Sequence, residues 1–248
     1  KQDGKSGAGA VYLYSLETNG SATYQGRITA PDIAEHDSFG YSLSLSDDLL
    51  AIGAHGADPD GKKDAGAVYL YRLDNSGTAI YLMKLTAADG VEKASFGYSV
   101  SQTGDLVAVG APWDNIEGLN GTGAVYLYRV ETSGIATALG KLTAPDGAEG
   151  DEFGYSVSLS DNLLAVGAKA ADIGAQNDAG AAYLYRVEAN GSTTYLSKLT
   201  APDAAGKHWF GSAMSQSGNL LGVLGGGPPK SNEKVSPHAE AAVEDVTY

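Results

Sequence analysis

Carboxylates dominate the polar chemistry of this 248-residue sequence, with 30 Asp and Glu against 16 Lys and Arg. They gather in short Gly-rich stretches. One holds Asp58, Asp60 and Asp64, a second Asp146, Glu149 and Asp151, and a third Asp172 and Asp178. Calcium takes six to eight oxygens at roughly 2.3–2.6 Å from flexible loops. The run Asp58-Pro59-Asp60-Gly61 followed by Asp64 has a spacing suited to such a loop. These eight residues are the metal-ligand candidates, and Ca2+ is the one cofactor candidate. The simpler reading of each stretch is turn chemistry, because Asp and Asn accept hydrogen bonds from their own backbone. The two tryptophans also stand among polar residues: Trp113 with Asp114 and Glu117, and Trp209 after His208. An exposed ring can stack on a sugar face while carboxylates take its hydroxyls, and Trp is enriched at binding hot spots. These five are the ligand-binding candidates. Trp209 has a competing role, filling a gap between packed elements beside the apolar Phe210.

No catalytic residue is assigned, and an enzyme is not expected. The sequence has no G-x-S-x-G, H-E-x-x-H, P-loop or dinucleotide fingerprint. The four His at 36, 55, 208 and 238 lack ligand spacing. With no Cys, disulfides, zinc–thiolate sites and thiol nucleophiles are impossible. The carboxylates are numerous enough to supply a glycosidase pair, yet no specific pair stands out. A formal net charge of −14 repels phosphate backbones and anionic lipid surfaces, so neither nucleic-acid binding nor membrane insertion is expected. No apolar run approaches the ~20 residues of a membrane helix. The opening Lys1-Gln2-Asp3-Gly4 is polar and reads as no signal peptide. The expected location is extracellular or cell-surface, as a mature form or an excised domain.

The elements that position these residues are set by a repeat. Phe-Gly occurs at Phe39, Phe96, Phe153 and Phe210, each step 57 residues. The Gly-Ala-Val-Tyr-Leu-Tyr block from Gly9 keeps that step at Gly66, Gly123 and Gly180, and so does the Leu-Leu-Ala-Ile-Gly-Ala block from Leu49. Each unit reads as four strands. In the first whole unit these are A at Phe39–Ser46, B at Leu49–Ala54, C at Ala67–Leu73 and D at Thr78–Thr86, separated by turn residues. Strands B and C are apolar at successive positions, which predicts burial on both faces. The spacing predicts an all-β fold: a β-propeller of four-stranded antiparallel blades. The sequence starts with strands C and D and finishes with A and B at Phe210–Gly225. Pairing those ends would close a four-bladed ring. A longer array or a two-chain ring is the alternative. Residues 1–225 are assigned to one propeller domain and 226–248 to a tail, a degenerate strand or a linker. Tyr69 and Tyr71, on one face of strand C and repeated in every unit, are expected to pack against the next blade.

The Phe-Gly…Gly-Ala-Pro pattern, fullest at Phe96-Gly97 with Gly110-Ala111-Pro112, resembles the FG-GAP repeat of integrin α-chain propellers and bacterial surface proteins. The short A–B turns, such as Ser160-Asp161-Asn162, resemble the bacterial subtype. They are too short for the calcium loop that the integrin type carries there. The resemblance implies a non-catalytic binding or adhesion module. It would recognise a protein or glycan through the acidic face formed by the D–A and B–C loops. The alternative is a structural spacer or oligomerisation module, which predicts self-association.

Overall fold

The computed structural model describes residues 4–74 and 76–226. Its regular elements are strands and one short 3-10 turn, Pro59–Gly61. Among the described residues no helix is long and apolar enough to cross a membrane. Three four-stranded antiparallel sheets follow one another along the chain. Blade 1 comprises β3 (Ser42–Ser46), β4 (Leu49–Ala54), β5 (Ala67–Leu73) and β6 (Ala79–Leu85). Blade 2 comprises β7 (Ser99–Thr103), β8 (Leu106–Ala111), β9 (Ala124–Val130) and β10 (Ala136–Leu142). Blade 3 comprises β11 (Phe153–Ser160), β12 (Leu163–Ala168), β13 (Ala181–Val187) and β14 (Thr193–Leu199). Two hairpins flank them: β1 (Val11–Leu16) with β2 (Ala22–Ile28), and β15 (Ala213–Ser217) with β16 (Leu220–Leu224).

The fold class is the expected one, and strands B and C of blade 1 have the expected limits. Among the described residues the expected closure is not formed. The two hairpins are separate two-stranded sheets, and β16 does not pair with β1. Strand A also differs in blades 1 and 2. Phe39 and Phe96 stand apart from β3 and β7 as single parallel bridges to Gly9 and Gly66. The glycine after each Phe is held at φ +91° in Gly40 and +86° in Gly97; Gly154 of blade 3 matches them at +90°, and there the ladder runs back to Phe153 across a register shift. The expected tail lies, after Gly226, outside the described residues.

The core lies between blades. Phe96 and Val100 pack with Val68 and Leu70 of blade 1, and Phe153 and Val157 pack with Val125 and Leu127 of blade 2. All six residues of β4 and of β8 are buried, because a neighbouring blade covers each face. The tyrosines of the three blades are packing residues, but on the preceding unit, where the Tyr69 hydroxyl donates to Asp32 and that of Tyr71 to Thr29 O, and Tyr12 and Tyr14 of the first hairpin are exposed. Tyr69 and Tyr183 are fully buried, and Phe39 meets Tyr69 edge-on at 5.4 Å.

Candidate functional site: a cleft between two blades

The B–C loops and the D–A loops share one face, where backbone hydrogen bonds join them. The N–H of Lys93 donates to Lys63 O at 2.8 Å, and that of Ser95 to Asp64 O at 3.1 Å. Between blades 1 and 2 this face opens into a cleft of about 710 Å³. One wall is His55 and Asp64 from the B–C loop of blade 1, and the opposite wall is Trp113, Asn115 and Asn120 from that of blade 2. The joining D–A loop supplies Glu92, Lys93 and Ser95. Lys93 and Ser95 adopt left-handed φ of +64° and +54°, which folds this loop tightly beneath the cleft.

An aromatic strip backs the cleft. Trp113 meets Tyr98 edge-on at 4.9 Å and 82°. His55 packs edge-on against Tyr41 at 4.3 Å and Tyr98 at 5.5 Å. Tyr98 in turn reaches Tyr155, hydroxyl to hydroxyl at 2.9 Å. Burial lowers the His55 pKa against the opposing pull of Asp64, so the imidazole is neutral at neutral pH. Burial, with hydrogen bonds to Tyr155 and Tyr41, raises the pKa of Tyr98 and keeps it a neutral phenol. The strip is therefore uncharged, and Asp64, Glu92 and Lys93 place charge at the lining. Blade 3 has no such strip. There Lys169 replaces His55, sits 3.7 Å from the Tyr155 ring centroid and pairs with Glu152 at 3.1 Å, and Ala170 replaces Trp113.

Of the expected ligand residues, Trp113 alone lines the cleft. Asp114 is corrected: it is 1% exposed and fully engaged. It accepts the Tyr126 hydroxyl at 2.6 Å and pairs with the Lys141 ammonium at 2.9 Å. Glu117 occupies an exposed turn at φ +52° outside the cleft. Trp209 and His208 precede β15, away from the cleft lining. Trp209 is 41% exposed, so it does not act as a buried gap-filler. His208 is half-buried against Gly225.

The expected metal ligands have other partners. Asp58 accepts the N–H of Asp64 at 2.7 Å, and Asp172 that of Asp178 at 2.8 Å, so both staple their own loops. Asp60, Asp64 and Asp178 are turn residues with φ between +51° and +54°. Asp146 accepts the Tyr183 hydroxyl at 2.8 Å and pairs with Lys198 at 2.7 Å. Asp89 and Asp32 hold the same arrangement one and two units earlier, respectively. Burial would raise the pKa of Asp146, but Lys198 and Tyr183 outweigh it and hold the carboxyl below its ordinary value. Asp151 accepts the N–H of Ala148 at 2.9 Å, and Glu149 accepts the Asn120 amide at 3.1 Å. Among the described residues, no three His, Asp or Glu side chains converge to hold a metal ion. The donor set does not fit a calcium loop.

Sequence reasoning missed Tyr41, Tyr98 and Lys93, and saw His55 only as a loop residue. A signal for the tyrosines was present. Tyr follows Phe-Gly at positions 41, 98 and 155, whereas the fourth unit has Ser212.

A family model described as "FG-GAP repeat" matches residues 23–71, 82–128 and 137–185. Integrin alpha-2 of Bos taurus is 31% identical over 134 residues, covering 48% of this chain and 11% of its own length. Integrin alpha-7 of Rattus norvegicus matches with the same identity and coverage. The chain thus spans about a tenth of these curated relatives.

Proposed function

The chain belongs to the FG-GAP repeat family, and from that premise we propose a non-catalytic extracellular binding or adhesion module. Its ligand is a protein or glycan, and the Trp113 cleft fits a glycan best. The observation that carries this reading is Trp113, present in one unit only, lining a cleft of about 710 Å³ beside amide and carboxylate side chains. Such a volume lies within the ~300–1,000 Å³ of small-molecule sites. The neutral aromatic strip offers a stacking surface, and Asn115, Asn120, Asp64 and Glu92 offer partners for hydroxyls. Asp37 and Asp151, whose carboxyl pKa values burial raises, hold the loop N–H groups of Ala34 and Ala148 and lie outside the cleft.

The test is binding of the purified chain to a panel of immobilised oligosaccharides, alongside Trp113→Ala. The wild type is expected to retain a subset of glycans. The variant is expected to lose about tenfold or more in affinity, since a hot-spot Trp contributes roughly 2 kcal/mol or more. Its unfolding midpoint should stay within about 4 °C, the effect of roughly 1 kcal/mol in a domain of this size. Unchanged glycan binding with a fallen midpoint would make Trp113 a packing residue and overturn the reading.

A further inference from the structure

Neighbouring blades dock through a repeated socket. The carbonyl of each Phe-Gly glycine enters the preceding blade and accepts a serine hydroxyl. Ser42 reaches Gly97 O at 2.8 Å, Ser99 reaches Gly154 O at 2.8 Å, and Ser156 reaches Gly211 O at 2.6 Å. Across the ladder from each serine stands a glycine: Gly53, Gly110 and Gly167. A Cβ on any of these three would overlap the incoming carbonyl. Beside the socket, alternate residues of the incoming strand A bury on the preceding blade. These are Val100 and Gln102 in β7, and Val157 and Leu159 in β11. The Gln102 amide donates to Leu49 O, and the Gln216 amide to Leu163 O at 2.8 Å.

At the N-terminal end the incoming half is present and the socket is not. Leu43 and Leu45, counterparts of Val100 and Gln102, are more than half exposed, at 51% and 55%. Among the described residues strand β1 pairs with β2 on one side only, where β5, β9 and β13 each also pair with a strand B. The chain's own last hairpin has lost both socket residues. Ala213 stands where the other units have Ser42, Ser99 and Ser156, and it faces Leu224, which stands where they have glycine. By the geometry at Gly53, Gly110 and Gly167, a side chain at the Leu224 position would overlap an incoming Gly40 carbonyl. Neither this hairpin nor the same hairpin of a second copy can reproduce the docking.

We propose that the N-terminal end, comprising Gly40, Leu43, Leu45 and the free edge of β1, is a docking surface for the A–B hairpin of a further FG-GAP repeat. That hairpin carries Ser and Gly at the socket positions. It supplies strand B to β1, covers the two leucines and receives the Gly40 carbonyl.

The test joins a second copy of residues 153–174 ahead of Gly4 in the full chain. Hydrogen exchange and thermal unfolding are then compared with the unmodified chain. The added hairpin is expected to slow exchange at the free-edge amides of β1 by about tenfold or more and to raise the midpoint. A control carries Ser156→Ala and Gly167→Leu in the added copy only, which rebuilds the Ala213 and Leu224 arrangement, and it should lose that protection. The same two hairpins, added as separate peptides to the unmodified chain, give a second readout should the fusions fold poorly. Equal protection by both hairpins would overturn the proposal, as would protection by neither. In analytical ultracentrifugation the unmodified chain should remain monomeric. A concentration-dependent oligomer with protected β1 amides would make a second copy the occupant and overturn it as well.

Discussion

At the scale of single residues, Asp114 shows how a carboxylate unique to one unit can be structural. The equivalent positions in blades 1 and 3 are Ala57 and Ala171, both buried. Blade 2 places a charge there and neutralises it with Lys141, which also pairs with Asp89 at 2.7 Å. Removing one partner of a buried pair leaves an uncompensated charge, at a cost of roughly 3–5 kcal/mol. Lys141→Met should therefore destabilise by about that much, as read from urea unfolding. Asp114→Ala recreates the neighbouring blades, leaves Lys141 paired with Asp89, and should be near neutral, within about 1 kcal/mol. Uniqueness marked Asp114 in the sequence, but uniqueness does not reveal burial. The alanines at its two counterparts were the signal that the site is small and enclosed. The three Asp–Tyr–Lys groups also set a pH dependence. In Asp32, Asp89 and Asp146 burial raises the pKa, but the paired lysine and tyrosine outweigh it and hold the folded value down. Their stabilisation is present above the unfolded pKa of about 3.9 and is lost as pH falls through the lower folded value. Asp37 and Asp151, raised by burial, act in the opposite sense, with stability lost as pH rises through their folded values. The midpoint should fall on acidification below about pH 4, and Asp146→Asn should flatten that fall. An unchanged acid limb in this variant would rule the group out as its source.

At the scale of elements, strands B and C were the most legible. Their continuous apolar runs leave one reading, a strand covered on both faces, and β4 and β5 end where the runs end. Strand A was less so. Its alternation continues back to Phe39, but the ladder is interrupted around the left-handed glycine after each Phe, as a break at Gly40 and as a register shift after Phe153, and alternation carries no information on φ. Strand D hid an irregularity too, a register shift opposite Leu70/Tyr71 in blade 1 and Leu184/Tyr185 in blade 3. Two strand glycines separate close approach from mere tolerance. At Gly110 a Cβ would overlap the Gly154 carbonyl and the Ser99 hydroxyl, whereas at Gly140 it would meet nothing within 4 Å. Gly110→Ala should destabilise by about 1–3 kcal/mol, as overpacking does. Gly140→Ala, at the position of Met83 and Ser197, should be neutral or stabilising by up to about 1 kcal/mol. Equal midpoints in urea for the two variants would contradict the socket geometry.

At the scale of the whole molecule, the repeat fixed the number and order of strands but not how the ends meet. Counting strands makes β15–β16 and β1–β2 halves of one blade, whereas docking depends on two side chains, Ala213 and Leu224, that strand counting overlooks. The cleft was half legible for a related reason. Trp113 drew notice because it breaks the repeat, while Tyr98 was passed over because it keeps it. A site built between units uses residues of both kinds. The Phe-Gly bridges have a further consequence, for synthesis. Gly66 is held by Phe96 and Gly123 by Phe153, each 30 residues downstream. A blade leaving the ribosome therefore waits for the opening of its successor, about 2–6 s at ~5–20 residues per second. During that interval the strand-C residues that the next Phe-Gly covers, such as Val68 and Leu70, are exposed, and the nascent chain carries one unfinished face forward until that Phe-Gly emerges.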